Sequence, residues 1–203
     1  MTGPRRTRPP LILASASPRR SALLRQAGVD FTVIPSRVPE ERHPGESPEQ
    51  YALRVAGDKA REVSGGYPGV WVLAADTVVE TDGQVLGKPR DTEEAQHMLR
   101  HLSGRTHRVK TAFVLLADDG RPFASQVVTS TVTFKPLSEA EIHAYLATGE
   151  PFDKAGAYAI QGHGASFIER VEGSYTNVVG LPMDEVLQAL RAAALLPYRD
   201  PHD

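Results

Sequence analysis

Apolar residues recur along this chain in two rhythms, the runs and alternation of strands and the three-to-four spacing of helices. A short apolar run at 11–14 leads into Ser15-Ala16-Ser17-Pro18, and Leu23, Leu24 and Ala27 then follow at helical spacing up to Gly28. This predicts a strand, a tight loop and a helix. Residues 31–35 predict a second strand, and Ser47-Pro48-Glu49-Gln50 predicts a capping-box start to a helix that Gly65-Gly66 would end near Ser64. The run 70–75 predicts a buried central strand ending at Asp76. Residues 78–81 and 84–86 flank Asp82-Gly83, a hairpin signature, because that dipeptide tolerates the positive φ of a tight turn. Asp91 with Glu94 starts a helix that ends near Ser103-Gly104. Two alternating stretches, 107–118 and 122–135, flank Asp119-Gly120 as a second hairpin, and Ser138 with Glu141 caps a helix that stops at Gly149. A glycine-rich stretch at 156–164, a strand at 166–171 and a helix over 182–195 complete the pattern.

Strands joined partly by hairpins and partly by helices imply an α/β protein with a mixed, twisted sheet and flanking helices. There is no internal repeat, and one domain over 10–197 is expected, with a disordered tail at 1–9 and a second tail at 198–203. The 203 residues, 40% of them hydrophobic, are enough to bury a sizeable core. The net charge of -2 gives no overall field toward nucleic acid or an anionic membrane, so any anion site has to be local. Zero cysteines exclude disulfides, iron–sulfur clusters and zinc ribbons, leaving carboxylates, imidazoles and substrate oxygens as metal ligands. That favours a cytoplasmic protein using magnesium or manganese. Arg5, Arg6 and Arg8 would suit a nucleic-acid arm, but their proline-rich setting reads better as a disordered tail. Residues 1–10 are not expected to form a signal peptide, and no stretch approaches the roughly 20 apolar residues of a membrane span.

Ser17 is placed as an N-cap and Pro18 as the first helical residue, which sets Arg19 and Arg20 at the positive end of the helix dipole. Cations there are unfavourable unless an anion joins them, so the loop reads as a phosphate cradle. Asp76, at the end of an apolar run, would need a cation, a metal or a raised pKa. Gly83 to Pro89 is not a P-loop: one residue is missing between the glycines, and Pro89 stands where a hydroxyl would bind magnesium. Lys88 still offers a point charge. Lys154 lies among small residues that permit close backbone approach, and the Gln161 amide suits a base edge. Gly162-His163-Gly164 fails the dinucleotide fingerprint because Phe167 occupies the third glycine position. His97 and His101 share a helix face, but Met98 replaces the glutamate of a zinc protease. No nucleophile elbow is present.

Five segments carry a family resemblance: Leu13-Ala14-Ser15-Ala16-Ser17-Pro18-Arg19-Arg20, Ala75-Asp76-Thr77-Val78-Val79, Gly87-Lys88-Pro89-Arg90-Asp91, Leu102-Ser103-Gly104-Arg105-Thr106-His107 and Asp153-Lys154-Ala155-Gly156-Ala157-Tyr158-Ala159-Ile160-Gln161-Gly162. With Glu172-Gly173-Ser174-Tyr175-Thr176-Asn177 behind them, they resemble, in order, the Maf family of nucleoside triphosphate pyrophosphatases. The resemblance implies a fold like that of inosine triphosphate pyrophosphatases, two lobes around a cleft, a divalent cation and a homodimer. It implies that Asp76 is a general base or a metal-holding carboxylate, with Glu40 beside it, and that Lys59 and Lys88 belong to the catalytic set. It further implies that Ser15, Ser17, Arg19, Arg20, Thr77, Lys154 and Gln161 bind substrate. The motifs look like those of the branch acting on dTTP and UTP, modified pyrimidine nucleotides included, and unlike the branch acting on 7-methyl-GTP. Besides the nucleotide and a second copy of the chain, neither nucleic acid nor membrane is expected as a partner. The rival reading is a non-catalytic nucleotide-binding regulator of septum formation.

Overall fold

The computed structural model describes residues 10–196. The expected tails and the basic arm therefore lie outside the described residues. Among the described residues, seven strands form one mixed sheet. In chain order these are β1 (Leu11–Leu13), β2 (Thr32–Val33), β3 (Trp71–Thr81), β4 (Gln84–Leu86), β5 (Thr106–Leu116), β6 (Pro122–Phe134) and β7 (Ile168–Glu172). The helices are α1 (Pro18–Gln26), α2 (Pro48–Gly66), α3 (Thr92–Leu102), α4 (Glu139–Leu146), α5 (Tyr175–Val179) and α6 (Met183–Ala192), and three short 3-10 turns occupy the glycine-rich stretch and its flanks. The strand order is β2-β1-β3-β5-β6-β7, with β4 on β3. β1 runs parallel to β2 and β3, whereas every other pair is antiparallel.

Local chemistry accounts for most element starts. Ser17, Ser47, Asp91 and Ser138 each accept a hydrogen bond from a first-turn N–H, and the boxes Ser47–Gln50 and Ser138–Glu141 are both reciprocal. Asp82 and Gly83 adopt φ of 50° and 76°, as a two-residue hairpin turn demands. Three expectations are corrected. Gly65 and Gly66 form the last turn of α2 rather than lying beyond it, because neither takes the positive φ by which a glycine ends a helix, and the cap falls on Tyr67. The short helix α5, capped by Ser174, is an addition. Most consequentially, β3 does not stop at Asp76 but runs on to Thr81, since β5 pairs with it from Val72 to Glu80 without interruption.

The long strands β3, β5 and β6 pass through two packed halves. In the first half, Leu11, Leu13, Leu73, Ala75, Phe113 and Leu115 face α1 and α6, while Ile12, Val72, Ala74, Val78, Ala112 and Val114 face α2. β1 is buried on both faces, which is why it reads as a continuous apolar run. In the second half, Val79, Val109, Val132 and Phe134 pack against α3, α4, Tyr158 and Phe167. β1 and α2 serve only the first half, so the two halves meet where β1 ends.

One polar pair lies inside the second half. His107 is buried beside Phe134 and shares a 2.7 Å hydrogen bond with the Tyr158 hydroxyl, while its Nδ1 has no partner among the described residues. Burial holds its pKa down to about 4, against an ordinary 6.5. Since the folded value lies below the unfolded one, the unfolded chain binds the extra proton, and this share of stability is lost as pH falls from about 6.5 to about 4. Urea unfolding between those limits should show a loss of about 3 kcal/mol that His107→Asn, however destabilised at neutral pH, no longer shows. An equal acid loss in the variant would assign it elsewhere.

Candidate active site

The last bond of β1 to β3 runs from the Ala14 N–H to the Leu73 carbonyl, at 2.8 Å, after which the chain turns away through Ser15 and Ser17 into α1. β4 joins the same edge of β3 only from Val79. Between them a stretch of β3 centred on Asp76 and Thr77 has no strand neighbour on that side. A cavity of about 500 Å³ opens at this gap. Since strand side chains alternate, Asp76 and Thr77 enter it from opposite faces of the sheet.

Asp76 points to the α2 face, buried, and its Oδ1 accepts a 2.8 Å hydrogen bond from Lys59 of α2. The same ammonium lies 2.6 Å from Glu40 Oε1, and Glu40 Oε2 accepts from Lys88 at 2.5 Å. Acid and base therefore alternate along one chain, Asp76, Lys59, Glu40, Lys88. The Asp76 carboxylate thus has the cation that its place in an apolar run called for; it carries one ammonium, and its other oxygen accepts no hydrogen bond from the described residues. Burial pushes the Asp76 pKa up, against the opposing pull of Lys59 and Arg20. Burial also acts to raise Glu40, but Lys59 and Lys88 outweigh it and bring that carboxyl down to about 2. Tyr51 of α2 donates a 2.8 Å hydrogen bond to the Glu40 carbonyl and so fixes the segment carrying the second acid.

On the opposite face, Arg20 is buried and turns back from the first turn of α1. Its guanidinium donates to the Gly180 carbonyl at 2.7 Å, to Ser15 Oγ at 3.2 Å and to Thr77 Oγ1 at 3.0 Å. Thr77 meets Thr111 at 2.9 Å, and Thr111 donates to the Asn177 carbonyl. Arg20 thereby ties the β1–α1 loop, β3 and α5 together while leaving its charge facing the acids. Burial pulls its pKa down, and Asp76 and Glu40 oppose that. The Ser17 side chain is occupied as the α1 cap. Arg19 stands 3.7 Å from Asp153, and Lys154 donates to Asp153 and to the Glu150 carbonyl, both at 2.5 Å.

Ten of the eleven residues read from the sequence as site residues line this one cavity: Ser15, Ser17, Arg19, Arg20, Glu40, Lys59, Asp76, Thr77, Lys88 and Lys154. Gln161 does not; it is exposed, and its neighbours Ala159 and Ile160 form the wall instead. Tyr51, Thr111 and Asn177 escape sequence reading, because each acts through a partner distant in the chain. The lining holds five cations, Arg19, Arg20, Lys59, Lys88 and Lys154, against three acids, Glu40, Asp76 and Asp153. In a chain of net charge -2 this is a local positive site, suited to a polyanion. Among the described residues no group of three or more His, Asp or Glu side chains could hold a metal ion; Asp76 and Glu40 could supply two hard oxygen ligands, with any others left to a bound phosphate.

The family model described as Maf-like protein matches residues 10–193. A dTTP/UTP pyrophosphatase of Myxococcus xanthus is 52% identical over 190 residues, covering 93% of this chain and 95% of that relative. A dTTP/UTP pyrophosphatase of Geobacter sulfurreducens is 50% identical over 186 residues, covering 92% and 97%. Among solved structures, a HAM1 protein from Coxiella burnetii aligns over 92% of this chain and 94% of its own, with a TM-score of 0.46 and 16% identity.

The Lys59 ammonium neutralises two acids at once, so removing it strands a buried carboxylate. Lys59→Met should lower unfolding stability by about 3–5 kcal/mol, and adding Asp76→Asn should restore part of that loss. Denaturant titration of the single and double variants checks it, and additive losses would dissolve the coupling.

Proposed function

The chain belongs to the Maf-like protein family, and from that premise we propose that it hydrolyses dTTP and UTP, modified pyrimidine nucleotides included, to the monophosphate and pyrophosphate. It is a hydrolase acting on nucleoside triphosphates. The observation that carries the reading is the chain of Asp76, Lys59, Glu40 and Lys88 at the gap in the sheet, inside a cavity where cations exceed acids. The names of relatives at about half identity support the pyrimidine preference. We propose further that the enzyme works in the cytoplasm as a homodimer with magnesium or manganese. Among the described residues no helix is long and apolar enough to cross a membrane.

In this reading the phosphates take the places beside the cations that Asp153 and Glu40 now hold. Arg19, Lys88 and Lys154 exchange their carboxylate partners for phosphate oxygens, while Arg20, held by three hydrogen bonds, supplies a fixed charge. Asp76 and Glu40 would hold a divalent cation, which supplies neutralisation of the phosphate oxygens and of the departing pyrophosphate. The free oxygen of Asp76 orients a water molecule toward the α-phosphorus and takes its proton. The new bond joins the water oxygen to the α-phosphorus, the bond between that atom and the bridging oxygen breaks, and pyrophosphate leaves with the bonding pair. Burial raises the pKa of Asp76, while Lys59 pulls against it and favours the ionised form. Valine and tyrosine side chains on the other face, Val79, Val109, Tyr158 and Val178, offer an apolar wall for the base. A regulator that only bound nucleotide would have no use for a buried carboxylate with one oxygen left open.

Incubation with each common triphosphate should release monophosphate and pyrophosphate fastest from UTP and dTTP, and release of diphosphate and orthophosphate would reject the reaction. Asp76→Asn should cost at least about a hundredfold in turnover while nucleotide binding stays measurable. Turnover close to that of the unaltered chain would remove Asp76 from the chemistry.

A further inference from the structure

Resting on that reading of the function, we propose that Glu150, acting with Tyr145, is a positioning residue that sets the choice of base. The wall of the cavity at Ala159 and Ile160 belongs to a loop with no place in the sheet. The N–H and C=O of Ile160 make no hydrogen bond with the described residues, although the residue is only 7% exposed. An unpaired main-chain donor beside an unpaired acceptor complements an edge on which acceptor and donor alternate, as on uracil and thymine. Cytosine presents donor and acceptor the other way round at two of those three positions. Discrimination by such groups depends on where the loop is held, because a mismatched base leaves them unpaired out of water.

What holds the loop is a carboxylate outside the cavity. Glu150, just beyond α4, accepts from the Gly164 N–H at 3.1 Å and the Tyr145 hydroxyl at 2.9 Å through Oε1, and from the His163 N–H at 3.0 Å through Oε2. Tyr145 in turn accepts from the Ala159 N–H at 3.2 Å. One carboxylate thus grips both ends of 159–164, directly at 163 and 164 and through the tyrosine at 159. The grip leaves no room for side chains. A Cβ on Gly162 would lie 2.6 Å from Glu150 Oε2, and one on Gly164 would lie 2.5 Å from the Ala159 carbonyl and 2.9 Å from the Tyr145 hydroxyl. Tyr145 itself is buried against Phe167, ring centroids 4.9 Å apart, within the same core as Val79 and Val109. The position of Ile160 is therefore referred to the packed second half of the molecule rather than to solvent. Neither Glu150 nor Tyr145 is in the cavity lining, so neither is a candidate to touch the nucleotide.

The test compares kcat/KM for UTP with kcat/KM for CTP in the full chain and in two variants. Glu150→Gln turns one acceptor oxygen into a donor facing the His163 N–H, and Tyr145→Phe removes only the hydroxyl. Each should lower the UTP to CTP ratio about tenfold, with the loss in the KM for UTP and the kcat for CTP within about twofold of the unaltered chain. A merely structural role would lower both substrates together and leave the ratio where it was. A ratio preserved in either folded variant overturns the proposal. Should the unaltered chain itself fail to prefer UTP over CTP, the reading of the function falls and this proposal falls with it, a result distinct from a preference that the variants retain.

Discussion

Lys59 and Asp76 face each other at 2.8 Å, both largely out of water, at the one stretch of β3 that neighbouring strands leave uncovered. Such a pair is a poor source of stability, since removing two charges from water costs about what their attraction returns. Its retention in the middle of an otherwise apolar strand has to be understood through what it prepares. The ammonium lets a carboxylate remain ionised inside a core, and the missing strand leaves one oxygen of that carboxylate open to whatever enters the gap. Both conditions are needed. A covered edge would make the pair inert, and an open edge without Lys59 would favour a neutral, protonated acid.

The rest of the site is arranged around that gap. β1 stops at Leu13, and the turn that follows brings Ser15, Arg19 and Arg20 to the opening. Arg20 is committed on three sides to main chain and hydroxyl groups, so its charge does not relax when the cavity empties. Lys59 is held between Asp76 and Glu40, while Arg19, Lys88 and Lys154 rest on Asp153 and Glu40, partners that an incoming phosphate can replace. The site thus combines two fixed cations with three exchangeable ones, and a molecule of slightly negative net charge presents a positive pocket.

Much of this was legible in the chain alone, where the governing chemistry is local. Ser17 with Pro18, the boxes at Ser47 and Ser138 and the Asp82-Gly83 turn state their conformations within four residues of sequence, and all are realised. The continuation of β3 through Asp76 was not legible. An acid after six apolar residues reads as an end, and only Lys59, 17 residues earlier on a helix, makes it tolerable as a middle. The roles of Tyr51, Thr111 and Asn177 were hidden for the same reason. Gln161 shows the converse, since its letter suggested an amide aimed at a base, whereas the cavity is lined by Ala159 and Ile160 and Gln161 is exposed.

The central claim is that the open oxygen of Asp76 directs water to the phosphorus nearest the nucleoside. In the proposed reading a base on the wall of Val79, Val109 and Tyr158 would bring its α-phosphate, the one bonded to the sugar, to the edge of β3, and the later phosphates to the exchangeable cations. Hydrolysis of UTP in water enriched in oxygen-18, followed by mass spectrometry of both products, reads this directly. The label should appear in the monophosphate, one atom per turnover. Label in the pyrophosphate would mean attack at the β-phosphorus, and the account of the site would be contradicted.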